Sequence, residues 1–241
     1  MTHSGGSDAL REVLLRAQRL GTLGDRPIDE VIEHARQFVT GLVDVTGRVL
    51  DIGTGAGVPG LVIAMDRPDL ELVLVDRRAT RMDELSRAVI SLGLTAQVRV
   101  ITTDVETLAR DESYAGKFDA VVSRGFGPPE VTLRAARPFL KNGGRFVVSE
   151  PPSRDTNRWP ERALRELGFS QPQYLQGIAM FHVEQFGKKI STVCVHRTDT
   201  ISPYDRHRDC HFPPKGRRRE DHHRHQSGRC PCRVGIPDPH H

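Results

Sequence analysis

The chain has 241 residues, with 35 basic and 31 acidic side chains, a formal net charge of +4 and an isoelectric point near 9.1. That length fits one domain of ordinary size with some to spare. The mild basicity suits an RNA partner, and equally a solvated surface with an arginine-rich tail. No run approaches the ~18 apolar residues of a membrane span, and Met1 to Ser7 is polar where a secretory leader needs an apolar core. A cytoplasmic protein without membrane contact is expected.

In chain order, residues 8–20 carry apolar side chains at helical spacing, with Ser7 or Asp8 as cap. Pro27 opens a second helix that reaches about Leu42. The pattern then changes. Short valine-rich strands are expected at 48–52 (RVLDI), 71–76 (ELVLVD), 97–101 (QVRVI), 118–123 (FDAVVS) and 145–149 (RFVVS). Helical segments at 61–65, 80–92 and 129–140 separate them. Strands alternating with helices imply an α/β three-layer sandwich, with a mostly parallel sheet and helices on both faces. Beyond Glu150 a helix is expected at 159–167 and two final strands at 174–175 and 179–183.

The densest motif is Asp51 to Gly60 (DIGTGAGVPG), which closes the first strand. Glycines there let the backbone turn sharply and let a ligand approach the main chain. Read as Gly55, Gly57 and Gly60, with Asp76 twenty-one residues after Gly55, it also fits a dinucleotide fingerprint, a weak match by itself. Two features favour S-adenosylmethionine (SAM) over NAD. Asp51, just ahead of the glycines, would repel a pyrophosphate but tolerates an ammonium and a sulfonium. Asp76, ending the second strand, is placed to accept both ribose hydroxyls.

Here the chain resembles the class I SAM-dependent methyltransferases, and more narrowly the glucose-inhibited division protein B family of bacterial 16S rRNA (guanine-N7)-methyltransferases. The resemblance covers roughly residues 30–150. It rests on DIGTGAGVPG, on Asp76 to Arg81 (DRRATR) and on Ser123 to Gly125 (SRG). It implies that Gly53, Gly55, Gly57 and Asp76 bind SAM, joining Asp51 from the loop reading, that Val105 and Glu106 flank the adenine, and that Arg124 lines the reaction pocket and is counted with the cofactor residues. It also implies a Rossmann-like fold, a role in rRNA processing, and 16S rRNA or the small ribosomal subunit as partner. Thr80, Asp104 and Glu150 stand where the family carries lysine, arginine and lysine. Leu20 to Gly24 (LGTLG) replaces the family's asparagine-leucine-threonine segment, and its basic C-terminal segment is not recognisable. Lost cations are of the kind that hold RNA phosphates.

Guanine N7 already presents a lone pair, so methylating it requires no general base; the missing acid–base pair is no objection. Arg124 is the expected pocket residue, orienting the base or its phosphate, with an ion pair to Asp51 or Asp104 as the alternative. Arg77, Arg78 and Arg81 form either an RNA-facing patch or a solvated helix start. Asp119 reads as structural. Other readings are a divergent methyltransferase on another RNA or a small molecule, a SAM-binding module without catalysis and, weakest, an NAD-dependent enzyme.

The organisation expected is N-terminal helices over 1–46, the methyltransferase domain over 47–187, and a disordered tail over 188–241. A monomer without metal is expected. All four cysteines and eight of the eleven histidines follow residue 190. Cys230 and Cys232 have one residue between them, against about two to four in structural zinc sites, which disfavours zinc. Back-translated one base later, the codons for Lys215 to Gln226 admit a deviant P-loop resembling that of the chromosome-partitioning ATPases. The tail is therefore expected to be out-of-frame translation without a fold, which the nucleotide sequence tests directly.

Overall fold

A computed structural model describes residues 3–151 and 158–184. The expectations for the tail, including its cysteines, histidines and frame-shifted P-loop, lie outside the described residues. The elements are α1 (His3–Arg19), α2 (Ile28–Gly41), β1 (Gly47–Ile52), α3 (Gly60–Asp66), β2 (Leu70–Asp76), α4 (Ala79–Ser91), β3 (Val98–Thr102) and α5 (Val105–Leu108). There follow β4 (Phe118–Ser123), α6 (Pro129–Ala136), a 3₁₀ turn (Arg137–Phe139), β5 (Leu140–Ser149), α7 (Glu161–Leu167), β6 (Gln173–Leu175) and β7 (Ile178–His182).

The seven strands form one sheet in the order β3-β2-β1-β4-β5-β7-β6. β1 to β5 pair in parallel, while β7 runs antiparallel to both β5 and β6. Strand alternation divides the core. Val49, Leu72, Leu74, Val122 and Val147 point to one face and pack with the apolar sides of α1 to α4. Leu50, Ile52, Val73, Val75, Val121 and Phe146 point to the other, with α5 to α7. The three-layer α/β sandwich expected from the sequence is what forms. On α2 the buried residues Ile28, Val31, Ile32, Ala35 and Phe38 follow helical spacing, so this helix shares the core of the sheet.

Some boundaries differ from the sequence expectation for clear reasons. α6 stops at Ala136 instead of reaching Leu140, because Pro138 has no N–H to continue the ladder and the chain tightens into the 3₁₀ turn. β5 starts at Leu140, five residues early. Its pairing shifts between Phe118↔Leu140 and Ala120↔Arg145, so two steps on β4 face five on β5 around Gly143 and Gly144. Helix α5, a single turn, is too short to show a period and was not expected.

In the sheet order, β1 is followed toward one edge by β2 and toward the other by β4. A crevice forms at the carboxyl ends where the order reverses, the usual ligand position in such sheets.

Candidate functional site

The loop after β1 is held from below by Asp51. Alternation sends this side chain to the α3 side, in line with Val49, and it is only 1% exposed. Its Oδ2 accepts from Thr54 Oγ1 at 2.7 Å and from the Gly60 backbone N–H at 3.0 Å, while Oδ1 has no partner among the described residues. Burial pushes its carboxyl up to about 7, opposed by those two hydrogen bonds and by the charge of Arg124. Gly60 is required where it stands, since a Cβ there would fall 2.3 Å from Leu74 Cδ2 and 2.9 Å from Asp51 Oδ2.

A cleft of about 490 Å³ opens above this loop. Gly53, Gly55, Asp76, Val105, Glu106 and Arg124 all line it, six of the eight residues expected at the cofactor. Asp51 and Gly57 do not. Asp51 lies behind the loop as its anchor, and Gly57 is where the loop packs on the helices, a Cβ there coming within 2.6 Å of Leu85 Cδ1. Asp76 also differs from a free ribose acceptor: Oδ2 takes the Gly55 N–H at 3.2 Å and Oδ1 the Arg78 N–H at 3.0 Å. Each oxygen keeps a further lone pair, and the backbone fixes the carboxylate's orientation.

Asp104 stands at the foot of the cleft as the N-cap of α5. It accepts from Thr107 N at 2.7 Å and from Thr107 Oγ1 at 2.9 Å, and the backbone bond lowers its carboxyl below the usual range. A carboxylate here has a local structural task that the arginine of the resemblance would not perform.

Arg124 follows β4 and forms the partition between this cleft and a second cavity of about 620 Å³. Among the described residues it makes no ion pair with Asp51 or Asp104. Burial lowers its pKa, and the charge of Asp51, acting through space, opposes that. The second cavity is lined by Arg26, His34, Glu150, Arg158, Tyr174 and Gly177, besides Arg124, Gly125 and Phe126. Glu150 is turned by two donors, Trp159 Nε1 at 2.8 Å and Arg158 at 3.4 Å, and its backbone N–H donates to Gly177 O at 2.7 Å. His34, whose pKa is lowered by burial and then by Arg124, also bonds to the Gly177 backbone.

The sequence reading did not gather these cavity residues, because they come from the α1–α2 loop, α2, the end of β5 and the β6–β7 turn, with no shared motif. The α1–α2 loop has one local signal. Gln18 Nε2 donates to both Gly24 O and Arg26 O at 2.6 Å, which folds Thr22 to Gly24 over the cofactor cleft and brings Arg26 to the second cavity. Among the described residues no group of three His, Cys, Asp or Glu side chains is arranged to hold a metal, and no helix is long and apolar enough to cross a membrane.

The profile of the GidB family, described as rRNA small subunit methyltransferase G, matches residues 12–157. The chain belongs to this family. It is 31% identical over 179 residues to Ribosomal RNA small subunit methyltransferase G of Desulfitobacterium hafniense, covering 73% of each chain. It is 32% identical over 122 residues to the protein of the same name from Moorella thermoacetica, covering 51% of this chain and half of that one. An O-methyltransferase family protein from Burkholderia thailandensis superposes with a TM-score of 0.51 at 12% identity, over 66% of this chain and 59% of that one, a likeness of fold alone. This GidB-family chain is thus a methyltransferase whose cleft and second cavity lie at the carboxyl ends of its own parallel strands.

Proposed function

We propose that this GidB-family chain transfers a methyl group from SAM to N7 of a guanine in 16S rRNA, acting on the small ribosomal subunit in the cytoplasm. The observation that carries the reading is the pair of cavities joined at Arg124, one lined by the glycine loop and Asp76, the other by arginines and one carboxylate. The first fits SAM. Its volume lies in the usual range for nucleotide-sized ligands, roughly 300–1,000 Å³, Asp76 offers remaining lone pairs at the end of β2, and Val105 and Glu106 provide an edge for a flat ring. When bound, SAM supplies an electrophilic methyl carbon on a sulfonium.

The chain's own residues then have a limited task. N7 attacks with a lone pair it already has, so the protein must orient the ring, hold it in line and exclude water. Arg124, with no ion-pair partner among the described residues, is free to donate to O6, next to N7 on the same edge. Arg26 and Arg158, at the cavity's walls, provide cations for phosphate where Thr80, Asp104 and Glu150 do not. The test is transfer of tritiated methyl from SAM to 30S subunits of a strain lacking the native modification, followed by nucleotide mapping. Label at a single N7-methylguanine supports the proposal. SAM binding without label would leave a divergent substrate or a non-catalytic SAM-binding module.

A further inference from the structure

We infer that Glu150 reads the Watson–Crick edge of the target guanine, and that its hydrogen bonds strengthen as the methyl group is transferred. This rests on the guanine-N7 reading above.

The sheet itself sets out the positions. β1, β4 and β5 are consecutive neighbours, so their carboxyl ends stand side by side at intervals of ~4.8 Å. The glycine loop follows β1, Arg124 follows β4 and Glu150 follows β5. Around guanine the groups run in the same sequence: N7, then O6, then N1–H and the 2-amino group. A ring whose N7 faces the cofactor cleft, with O6 toward Arg124, turns its N1–H and 2-amino donors toward Glu150. Those donors require an acceptor. Among the described residues lining this cavity, Glu150 is the only carboxylate.

Its carboxylate is already aimed. The side chain is only 7% exposed, with Trp159 Nε1 on Oε1 at 2.8 Å and Arg158 on Oε2 at 3.4 Å. Each oxygen retains lone-pair capacity, and the Glu150 backbone is fixed by Gly177 O. Trp159 and Arg158 each take one oxygen, and the carboxylate still lines a cavity whose other ionised walls are the arginines Arg26, Arg124 and Arg158. Adenine in the same pose would turn its 6-amino donor toward Arg124 and its N1 acceptor toward Glu150, a mismatch at both groups.

Attack by N7 forms the N7–CH₃ bond as the S–CH₃ bond breaks, so positive charge moves from sulfur to the purine. The ring's N1–H and 2-amino protons both become more acidic as that charge develops, and their hydrogen bonds to a carboxylate strengthen. An interaction that grows toward the transition state acts on kcat more than on KM. In this chain Glu150 replaces the lysine of the family resemblance, so the mode of reading belongs to this chain.

The decisive measurement uses 30S subunits reconstituted with 16S rRNA carrying guanosine or inosine at the mapped target. Inosine keeps N7, O6 and N1–H and lacks only the 2-amino group. Wild-type protein is expected to lose about 10- to 100-fold in kcat/KM on inosine, the range for a hydrogen bond to a charged group. E150Q, which retains an oxygen for Trp159, should lose a similar factor on guanosine, mostly in kcat, and show little further loss on inosine. A purely structural role for Glu150 would lower both substrates equally in E150Q. Equal wild-type rates on guanosine and inosine overturn the proposal without reference to any variant, so misfolding of E150Q cannot rescue it. No wild-type methylation of guanosine overturns the guanine-N7 reading, and this inference with it.

Discussion

Asp51 illustrates how a single side chain is decided by strand alternation more than by motif. Its place in the glycine motif pointed to cofactor contact, whereas the period-two geometry of β1 buries it behind the loop, where it joins Thr54 to the start of α3. That burial has a consequence for stability. With an ordinary value of 3.8 and a folded value of about 7, the native carboxyl holds a proton over a range in which the unfolded one has released it. The native state binds more protons there, so this residue's contribution to stability falls as pH rises from about 4 to about 7 and is level above that. Asp51→Asn is expected to remove this slope, on the order of 1 kcal/mol per pH unit. Urea unfolding of both proteins from pH 4 to 8 measures it; parallel pH profiles would place the carboxyl at its ordinary value. Asp76 behaves otherwise. Because its oxygens also hold the Gly55 and Arg78 backbone N–H groups, Asp76→Ala should weaken SAM binding by about 10- to 100-fold and loosen the loop as well. Calorimetric titration with SAM reads the first effect, and an unchanged Kd would refute the ribose assignment.

At the level of elements, legibility followed the length of the pattern. The valine-rich strands β1 to β4 and helices α2 and α4 were readable because each carries its apolar pattern over five residues or more. The start of β5 was not, because the pairing irregularity near Gly143 and Gly144 interrupts its alternation, and α5 was missed because one turn has no period. The cofactor half of the site was readable because its residues follow strand ends within one motif-rich stretch. The second cavity depends on Arg26, His34, Tyr174 and Gly177, which only the fold brings to Arg124 and Glu150. Short elements can still matter. Asp104 caps α5, which carries Val105 and Glu106 to the cleft, so Asp104→Ala should cost about 1 kcal/mol of stability and weaken SAM binding in parallel. Thermal melts with and without SAM separate the two effects, and loss of neither would show that the cap does not hold the cleft edge. Gly60→Ala is the harsher change. The added methyl has no room between Leu74 and Asp51, and a loss of about 1–3 kcal/mol is expected from the same melts.

Over the whole molecule, the net charge of +4 understates what the substrate side presents. Arg26, Arg124 and Arg158 converge on one cavity from three separate parts of the chain. Arg158 is paired with Glu150 and lies 4.9 Å over the Trp159 ring, so part of its charge is engaged within the protein. Arg26 is exposed and has no ion pair among the described residues, and its backbone is fixed by Gln18, which makes it the best-placed cation for an RNA phosphate. A phosphate contact releases counterions and carries no base information. Arg26→Ala should therefore weaken binding to 30S subunits while leaving the guanosine-to-inosine ratio unchanged, and should reduce the slope of log K against log salt by about 1. Binding measured across a salt series tests this. An unchanged slope with weakened binding would mean that the Arg26 side chain acts through the shape of the α1–α2 loop and not as a phosphate cation, in which case Gln18→Ala, which frees the Gly24 and Arg26 carbonyls, should reproduce the same loss. A reduced slope in Arg26→Ala and none in Gln18→Ala assigns the phosphate to the arginine itself.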